Sequence, residues 1–262
     1  MLFMDRPASR PFVPGALIAA LGLLSASTAS ADLIGFGKSE DGYSLNGGAT
    51  VSKGVLTLTD DGSFEARSAF AKTTQDISTF RASFTYQAAG SRLSDGVAFV
   101  LQNDKAGAEA LGGMGGALGY GYMAPSAAIE LNIYKAYTIG TNFRTDGQTY
   151  EYNSTGKVDI SSGNKIRVDL TYDGKLLSET LTDLKTLATY STSYVTDLPK
   201  VLGANTAYVG FTGSSGGTSS IQSISDFQFT NAVVPEPRSL ALLAVGLAGL
   251  AGYSRSRSSA SR

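Results

Sequence analysis

Short segments that alternate apolar and polar residues, separated by turn residues, limit this chain to β structure. In residues 165–172, Ile166, Val168, Leu170 and Tyr172 fall on one face of an extended segment. Asp173-Gly174 then turns the chain into a second alternating run over residues 175–182, a strong hairpin signal. Val55–Thr59 and residues 80–86 follow the same period, and residues 207–211 and 226–230 read as further strands. Between Asp32 and Asn231 no amphipathic pattern extends over three helical turns; residues 184–190 read equally as a helical turn or a loop. Many short strands joined by turns predict an all-β domain, an antiparallel β-sandwich or jelly roll.

The sequence contains neither Cys nor His. That excludes a thiol nucleophile, a Ser-His-Asp triad and the usual Cys/His zinc site. It also excludes disulfides, so a sizeable core must supply the stability, and about two hundred residues are enough for one such domain. The formal charge of −1 hides a more acidic body. Without residues 1–31 and 238–262, which hold Arg6, Arg10, Arg238, Arg255, Arg257, Arg262 and Asp5, 15 basic and 21 acidic residues remain, a net of −6. Nucleic acid is therefore not an expected partner, since phosphate contacts need clustered Lys and Arg.

The ends carry separate signals. Arg6 and Arg10 precede an apolar stretch over residues 15–24, and small residues follow up to Ala29-Ser30-Ala31. A basic start, a short apolar run and an A-x-A exit predict a secretory signal peptide over residues 1–31. At the other end, Pro235-Glu236-Pro237 leads into an apolar run over residues 239–253 and then a Ser/Arg tail. The run is shorter than the ~20 residues of an ordinary spanning helix, and its arginines would stay on the cytoplasmic side. This three-part order resembles the PEP-CTERM sorting signal of Gram-negative bacteria. The resemblance implies processing of residues 232–262 by an exosortase at the inner membrane, and display of the domain at the cell surface or outside the cell.

Glycine-rich residues 112–116 fit neither GxGxxG nor GxxxxGK[ST], and Gly37-Lys38-Ser39 lacks the glycine that a phosphate loop requires. Asn153-Ser154-Thr155 matches a glycosylation sequon but reads as a solvated turn. In residues 127–134, alternation puts Glu130 and Asn132 on one face. Together they can share a hard cation through oxygen atoms or hydrogen-bond to their neighbours, and two oxygen ligands are too few for a calcium site. A glycosidase needs two carboxyl groups across one bond; no second acid stands beside Glu130, which leaves Asp95 as its candidate partner. Asp95 itself precedes an apolar strand over residues 97–101, placing its carboxylate at a strand mouth, where it can accept from sugar hydroxyls or simply close a turn before Gly96.

The order of segments around these residues is more specific than any one of them. It runs through Leu45-Asn46-Gly47, residues 56–59, Ser68-Ala69-Phe70, residues 80–84 and 95–102, residues 115–120, residues 128–131, residues 170–174, residues 210–213 and Phe227-Gln228-Phe229. In this order the chain resembles the legume-type (L-type) lectins, in particular their bacterial relatives. The resemblance implies a concanavalin A-like sandwich that binds sugar through four loops. It assigns Asp95 the sugar-chelating role after a cis Ser94–Asp95 peptide, Gly116 a donating N–H, and residues 213–218 the fourth loop, with Gly217 and Thr218 facing the sugar. Asn142 is placed as the sugar-binding amide, with Phe143 or Tyr137 as a stacking face. The family's metal strand reads Glu-x-Asp-x-Tyr-x-Asn, with a later Asp and His. Here Asn132 replaces the Asp, Ala136 replaces the Asn and no His exists. Only Glu130 and Asn132 remain to hold a metal, Ca²⁺ by the nature of their oxygens.

These features predict a non-enzymatic glycan-binding domain over residues 32–231, exported and facing a glycan or exopolysaccharide. The alternative is a structural matrix or adhesion protein that keeps the sandwich without binding sugar. A glycoside hydrolase is disfavoured by Asn132.

Overall fold

The computed structural model describes residues 33–37, 42–90 and 93–230. The signal peptide and the sorting tail read from the sequence lie outside the described residues. The chain runs through β1 (Leu33–Ile34), β2 (Tyr43–Asn46), β3 (Thr50–Ser52), β4 (Val55–Thr59), β5 (Ala66–Ala71), β6 (Gln75–Asp76), β7 (Phe80–Ala89) and β8 (Gly96–Gln102). It continues through β9 (Ser126–Asn132), β10 (Gly140–Thr145), β11 (Asn153–Ser154), β12 (Ile166–Tyr172), β13 (Leu176–Asp183) and β14 (Thr189–Val195). A short α-helix, α1 (Leu198–Leu202), precedes β15 (Thr206–Ser214) and β16 (Ile221–Thr230). Among the described residues every strand pair is antiparallel.

Two sheets form. The back sheet has the order β14-β13-β12-β7-β16-β4-β3, with β1 added beside β16. The front sheet has the order β11-β10-β9-β8-β15-β5-β2, with β6 added beside β15. The hairpin read at Asp173-Gly174 joins β12 to β13. Asp173 Oδ1 accepts from the Lys175 and Leu176 amides at 2.9 and 2.8 Å, and Gly174 takes φ +99°, which a side chain would resist.

The inward faces of both sheets close a core of the kind alternation predicts. Phe84, Phe99, Phe211 and Phe227 meet there, with ring centroids 4.9 Å apart for Phe84–Phe211 and Phe211–Phe227. Fully buried rings of this size stabilise a core by several kcal/mol each, about 3–5 by truncation to Ala. β16 keeps its phase through a bulge. Asp226 takes φ +53° and the register against β7 shifts between Ser225 and Gln228, so that Ile224, Phe227 and Phe229 all point inward. The strand read at residues 226–230 is therefore the second half of one ten-residue strand.

The front sheet is covered on both sides. Its outer face carries Phe70, Ala98, Val100 and Ala128, on which residues from the 103–125 segment, among them Leu118, Tyr120 and Met123, lie as a second small core. This explains why β8 and β9 are buried at every position instead of at alternate ones. The same segment brings the glycine-rich 112–116 stretch over the end of the front sheet where Asp95 lies.

Candidate functional site

Asp95 sits where β8 begins, between the ends of β9 and β15. Its N–H donates to the Ser214 carbonyl at 3.0 Å and its own carbonyl accepts from Ile133 N–H at 2.9 Å. The Ser94–Asp95 peptide is cis. The preceding carbonyl, of Ser94, accepts from Ser220 Oγ at 2.6 Å and from Gln222 Nε2 at 3.3 Å, while Ser94 Oγ donates to the Thr218 carbonyl at 2.6 Å. The residue before the acid is therefore held by three hydrogen bonds, two of them buried.

Gln222 is the centre of that support. Its Nε2 also donates to Thr59 Oγ1 at 3.1 Å and the Ser214 carbonyl at 3.0 Å, and its Oε1 accepts from Tyr86 OH at 3.1 Å. It ties β4, β7, β15 and the Asp95 turn into one fully satisfied polar cluster. The sequence reading missed it, although a signal existed: Gln222 occupies an inward position two residues before Ile224, where a purely structural strand would carry an apolar residue.

Glycines enclose the carboxylate. A Cβ on Gly216 would lie 3.0 Å from Asp95 Oδ2, and one on Gly115 would lie 3.9 Å from it. The Gly216 backbone amide lies near the carboxyl group. Asp95 is only 5% exposed, and Oδ2 has no hydrogen-bond partner. Burial pushes the Asp95 pKa above its ordinary value, against the Gly216 amide, which lowers it. The result is a strong acceptor, aimed into a cradle without side chains. The fourth loop forms one wall: Ser214 Oγ donates to the Gly115 carbonyl at 2.5 Å and Gly115 N–H donates to the Ser215 carbonyl at 3.1 Å. Gly217 lies beside the exposed ring of Phe64, whose Cζ would be 3.9 Å from a Cβ there.

Gly116 borders the same cradle, and here an unpredicted residue enters. Tyr150 Cε1 and OH would lie 2.8 and 2.9 Å from a Gly116 Cβ, so the ring rests on that glycine. Tyr137, read as a stacking face, stands against Tyr150 at 5.0 Å between centroids. Phe143 does not reach the site; it packs toward the main core, 5.4 Å from Tyr194. Asn142 lies on β10, opposite Glu130 of β9 in the sheet register. Its Nδ2 donates to the Glu151 carbonyl at 2.7 Å and its Oδ1 accepts from the Phe143 amide at 2.9 Å, so this amide braces the loop that carries Tyr150.

A cation at this end would need six to eight oxygen ligands, several of them ionised. Asn132 donates to the carbonyls of Tyr134 and Thr138 at 3.2 and 2.9 Å, and its Oδ1 accepts from Tyr134 N–H at 3.3 Å. Its hydrogens thus occupy carbonyl oxygens of the 133–139 loop. Glu130 is fully buried with both carboxyl oxygens unpartnered, and burial pushes its pKa up to about 9, offset only in part by the charge of Arg144. Among the described residues no three His, Cys, Asp or Glu side chains come together as a ligand group. One neutral acid and one engaged amide do not fit the family's metal.

An antiparallel sandwich with a rigid acid in a loop-built cradle at one end of its front sheet defines a class of binding domain. The chain belongs to the legume lectin domain family, whose model matches residues 32–243. Solved structures share the fold at low identity. The metal-free form of lectin I-B4 from Griffonia simplicifolia is 18% identical, with a TM-score of 0.65, covering 76% of this chain and 98% of that one. The Bauhinia forficata lectin, solved in complex with GalNAc, is 19% identical, with a TM-score of 0.64 over 77% of this chain and 98% of that one. Arcelin-5, a lectin-like defense protein from Phaseolus vulgaris, is 22% identical, with a TM-score of 0.62 over 72% and 92%.

Proposed function

We propose that this protein is a non-enzymatic carbohydrate-binding protein that acts outside the cytoplasm, at the cell surface or in an extracellular polysaccharide matrix. The observation that carries the binding role is the buried, unpartnered Oδ2 of Asp95 within the cradle of Gly115 and Gly216. A buried acceptor without a donor costs about 1–3 kcal/mol, and a ligand hydroxyl pair removes that cost. Gly116 and the 216–218 loop supply backbone groups around the same space, and membership of the legume lectin domain family supports a sugar as the ligand. The address rests on the basic, apolar and small-residue order of residues 1–31 and on the Pro-Glu-Pro, apolar and Ser/Arg order of residues 232–262. Exosortase processing at the inner membrane follows from the second of these.

A second reading keeps the sandwich as a structural matrix domain that binds no sugar. It is favoured by Ala136 and by the engagement of the Asn142 amide with Glu151. A glycan array probed with the purified chain separates the two, with Asp95→Asn and Gly216→Ala alongside. Binding by the wild type that both variants abolish supports the lectin reading at this site. Absence of binding by the wild type rejects it.

A further inference from the structure

Most of the donors around the Asp95 cradle are already engaged. Asn142 Nδ2 donates to the Glu151 carbonyl at 2.7 Å, Gly115 N–H to the Ser215 carbonyl at 3.1 Å and Ser214 Oγ to the Gly115 carbonyl at 2.5 Å. Asp95 Oδ2, buried beside Gly115 and Gly216, accepts from none of them. Its charge is also unbalanced. Among the described residues the ion pairs join Arg67 to Asp60 and Glu65, Arg144 to Glu151 and Arg167 to Asp169, and none includes Asp95. Lys135, on the 133–139 loop, is exposed and makes no ion pair with it. Glu130 and Asn132, whose amide is engaged by that loop, do not make a cation site that would balance it.

We propose that the cradle selects a cationic amino sugar, a hexosamine whose ammonium group donates to Asp95 Oδ2 while a neighbouring hydroxyl accepts from Gly116 N–H. The inference rests on the lectin reading of Asp95 and names the ligand class of that same site. An ammonium group has three donors and no acceptor, which suits a pocket whose open group is a carboxylate. The bond it makes is charge-assisted, roughly twice as strong as that of a neutral hydroxyl. A neutral sugar would leave the buried charge unpaired, and an acidic one would oppose it. Burial already pushes the Asp95 pKa up, and an ammonium at Oδ2 reverses that by favouring the charged form.

The walls are of the kind that holds a cation. On one side Phe64 lies beside Gly217, and its N–H donates to the Gly216 carbonyl at 2.8 Å. On the other side Tyr150 rests on Gly116. Both rings are exposed, and their faces attract an ammonium within about 6 Å. Both are also held in a conformation that a side chain resists, with φ +60° for Phe64 and +81° for Tyr150. Such strain persists where the surroundings over-determine it, and it gathers at ligand sites. The turn that carries Phe64 adds Asp60, Asp61 and Glu65 against the single charge of Arg67, while Arg144 and Glu151 cancel on the Tyr150 side. The field at this end of the sandwich is therefore negative, which draws a cationic ligand toward the cradle.

The test is isothermal titration of the full chain at about pH 6, where an amine of this kind is charged. The probes are glucosamine and galactosamine, their N-acetylated forms, and glucose and galactose. One of the two amino sugars is expected to bind about tenfold tighter than its N-acetylated and neutral counterparts. Asp95→Asn should abolish that preference, and Phe64→Ala, a change at an exposed ring, should reduce it about threefold. Nα-acetyl-lysine amide carries the same ammonium without a sugar ring and should bind more weakly; equal binding would overturn the sugar part of the proposal. Neutral sugars that bind as well as amino sugars, and lose binding in Asp95→Asn, overturn the charge preference and leave the lectin reading standing. A preference that survives Asp95→Asn overturns its assignment to this cradle. Absence of binding to every sugar overturns both readings.

Discussion

Glu179 is a carboxyl group inside the sandwich, and its removal tests how the two sheets are joined. It takes an inward position on β13, where alternation otherwise places Leu177 and Leu181. Across the interior, Thr141 Oγ1 of β10 donates to its Oε1 at 2.8 Å, and Tyr194 OH of β14 donates to its Oε2 at 3.2 Å. Burial pushes its pKa from the ordinary 4.5 up to about 7, against the two hydroxyls, which lower it. The folded pKa thus lies above the unfolded one. Between pH 4.5 and about 7 the unfolded chain holds fewer protons at this position, so stability falls as pH rises through that window. The stabilisation is fully present below 4.5 and lost above about 7. At 1.36 kcal/mol per pH unit, this group costs about 3 kcal/mol by pH 7.5.

Glu179→Gln keeps the shape and the two hydrogen-bond positions without the titration. The variant should match the wild type at pH 4.5 and exceed it by up to about 3 kcal/mol at pH 7.5. Urea unfolding followed by tyrosine fluorescence at half-unit pH intervals gives both curves. Identical pH slopes for the two proteins, or a variant weaker at pH 7.5, would refute the reasoning, since either outcome means that the carboxylate is ionised and satisfied in the folded state.

Three further outcomes follow from the site. Gln222→Leu leaves Tyr86 OH and the Ser214 carbonyl without this partner, so it should cost about 3 kcal/mol in urea unfolding and weaken glycan binding; unchanged stability would remove Gln222 from its supporting role. Glu130→Gln should hold or raise stability at pH 7, because the buried acid is already neutral there, whereas a loss beyond about 2 kcal/mol would mean that a cation holds it ionised. Asn132→Asp removes the two donors to Tyr134 and Thr138 and should lower stability by about 1–3 kcal/mol with or without millimolar Ca²⁺; a Ca²⁺-dependent rise in Tm would contradict the cation-free reading.

The sandwich was legible because its strands are half-buried. Residues 165–182 carry period two on both sides of an Asp-Gly turn, and the observed β12–β13 pair follows them almost residue for residue. β14 was not legible: Ser and Thr occupy most of it, and as an edge strand it has little apolar demand. The bulge at Asp226 hid the continuity of β16, since one extra residue breaks the period by which a strand is recognised. At the site, the place of Asp95 at a strand mouth could be read from the apolar run of residues 97–101 that follows it, whereas a sugar-binding role came only from the resemblance, since an acid before Gly96 serves equally as a turn residue. The seat of Tyr150 against Gly116 could not, because it depends on which loop lies over which, and no local pattern encodes that.

The way this end of the sandwich is held bears on how it can bind at all. A divalent cation organises loops through a few strong bonds that vanish together when it leaves. Here the same region is held by separate neutral ties: the Gln222 cluster under Asp95, the Asn132 amide across the 133–139 loop, and the Tyr120 hydroxyl under the 146–152 loop. Each is worth only about 1 kcal/mol net, but none depends on the others or on a free ligand in solution. The acid they position is then organised before any sugar arrives, so a ligand meets a formed cradle and need not provide the free energy to order it. Binding built this way should be insensitive to chelators, and a loss of glycan binding on adding EDTA would refute it.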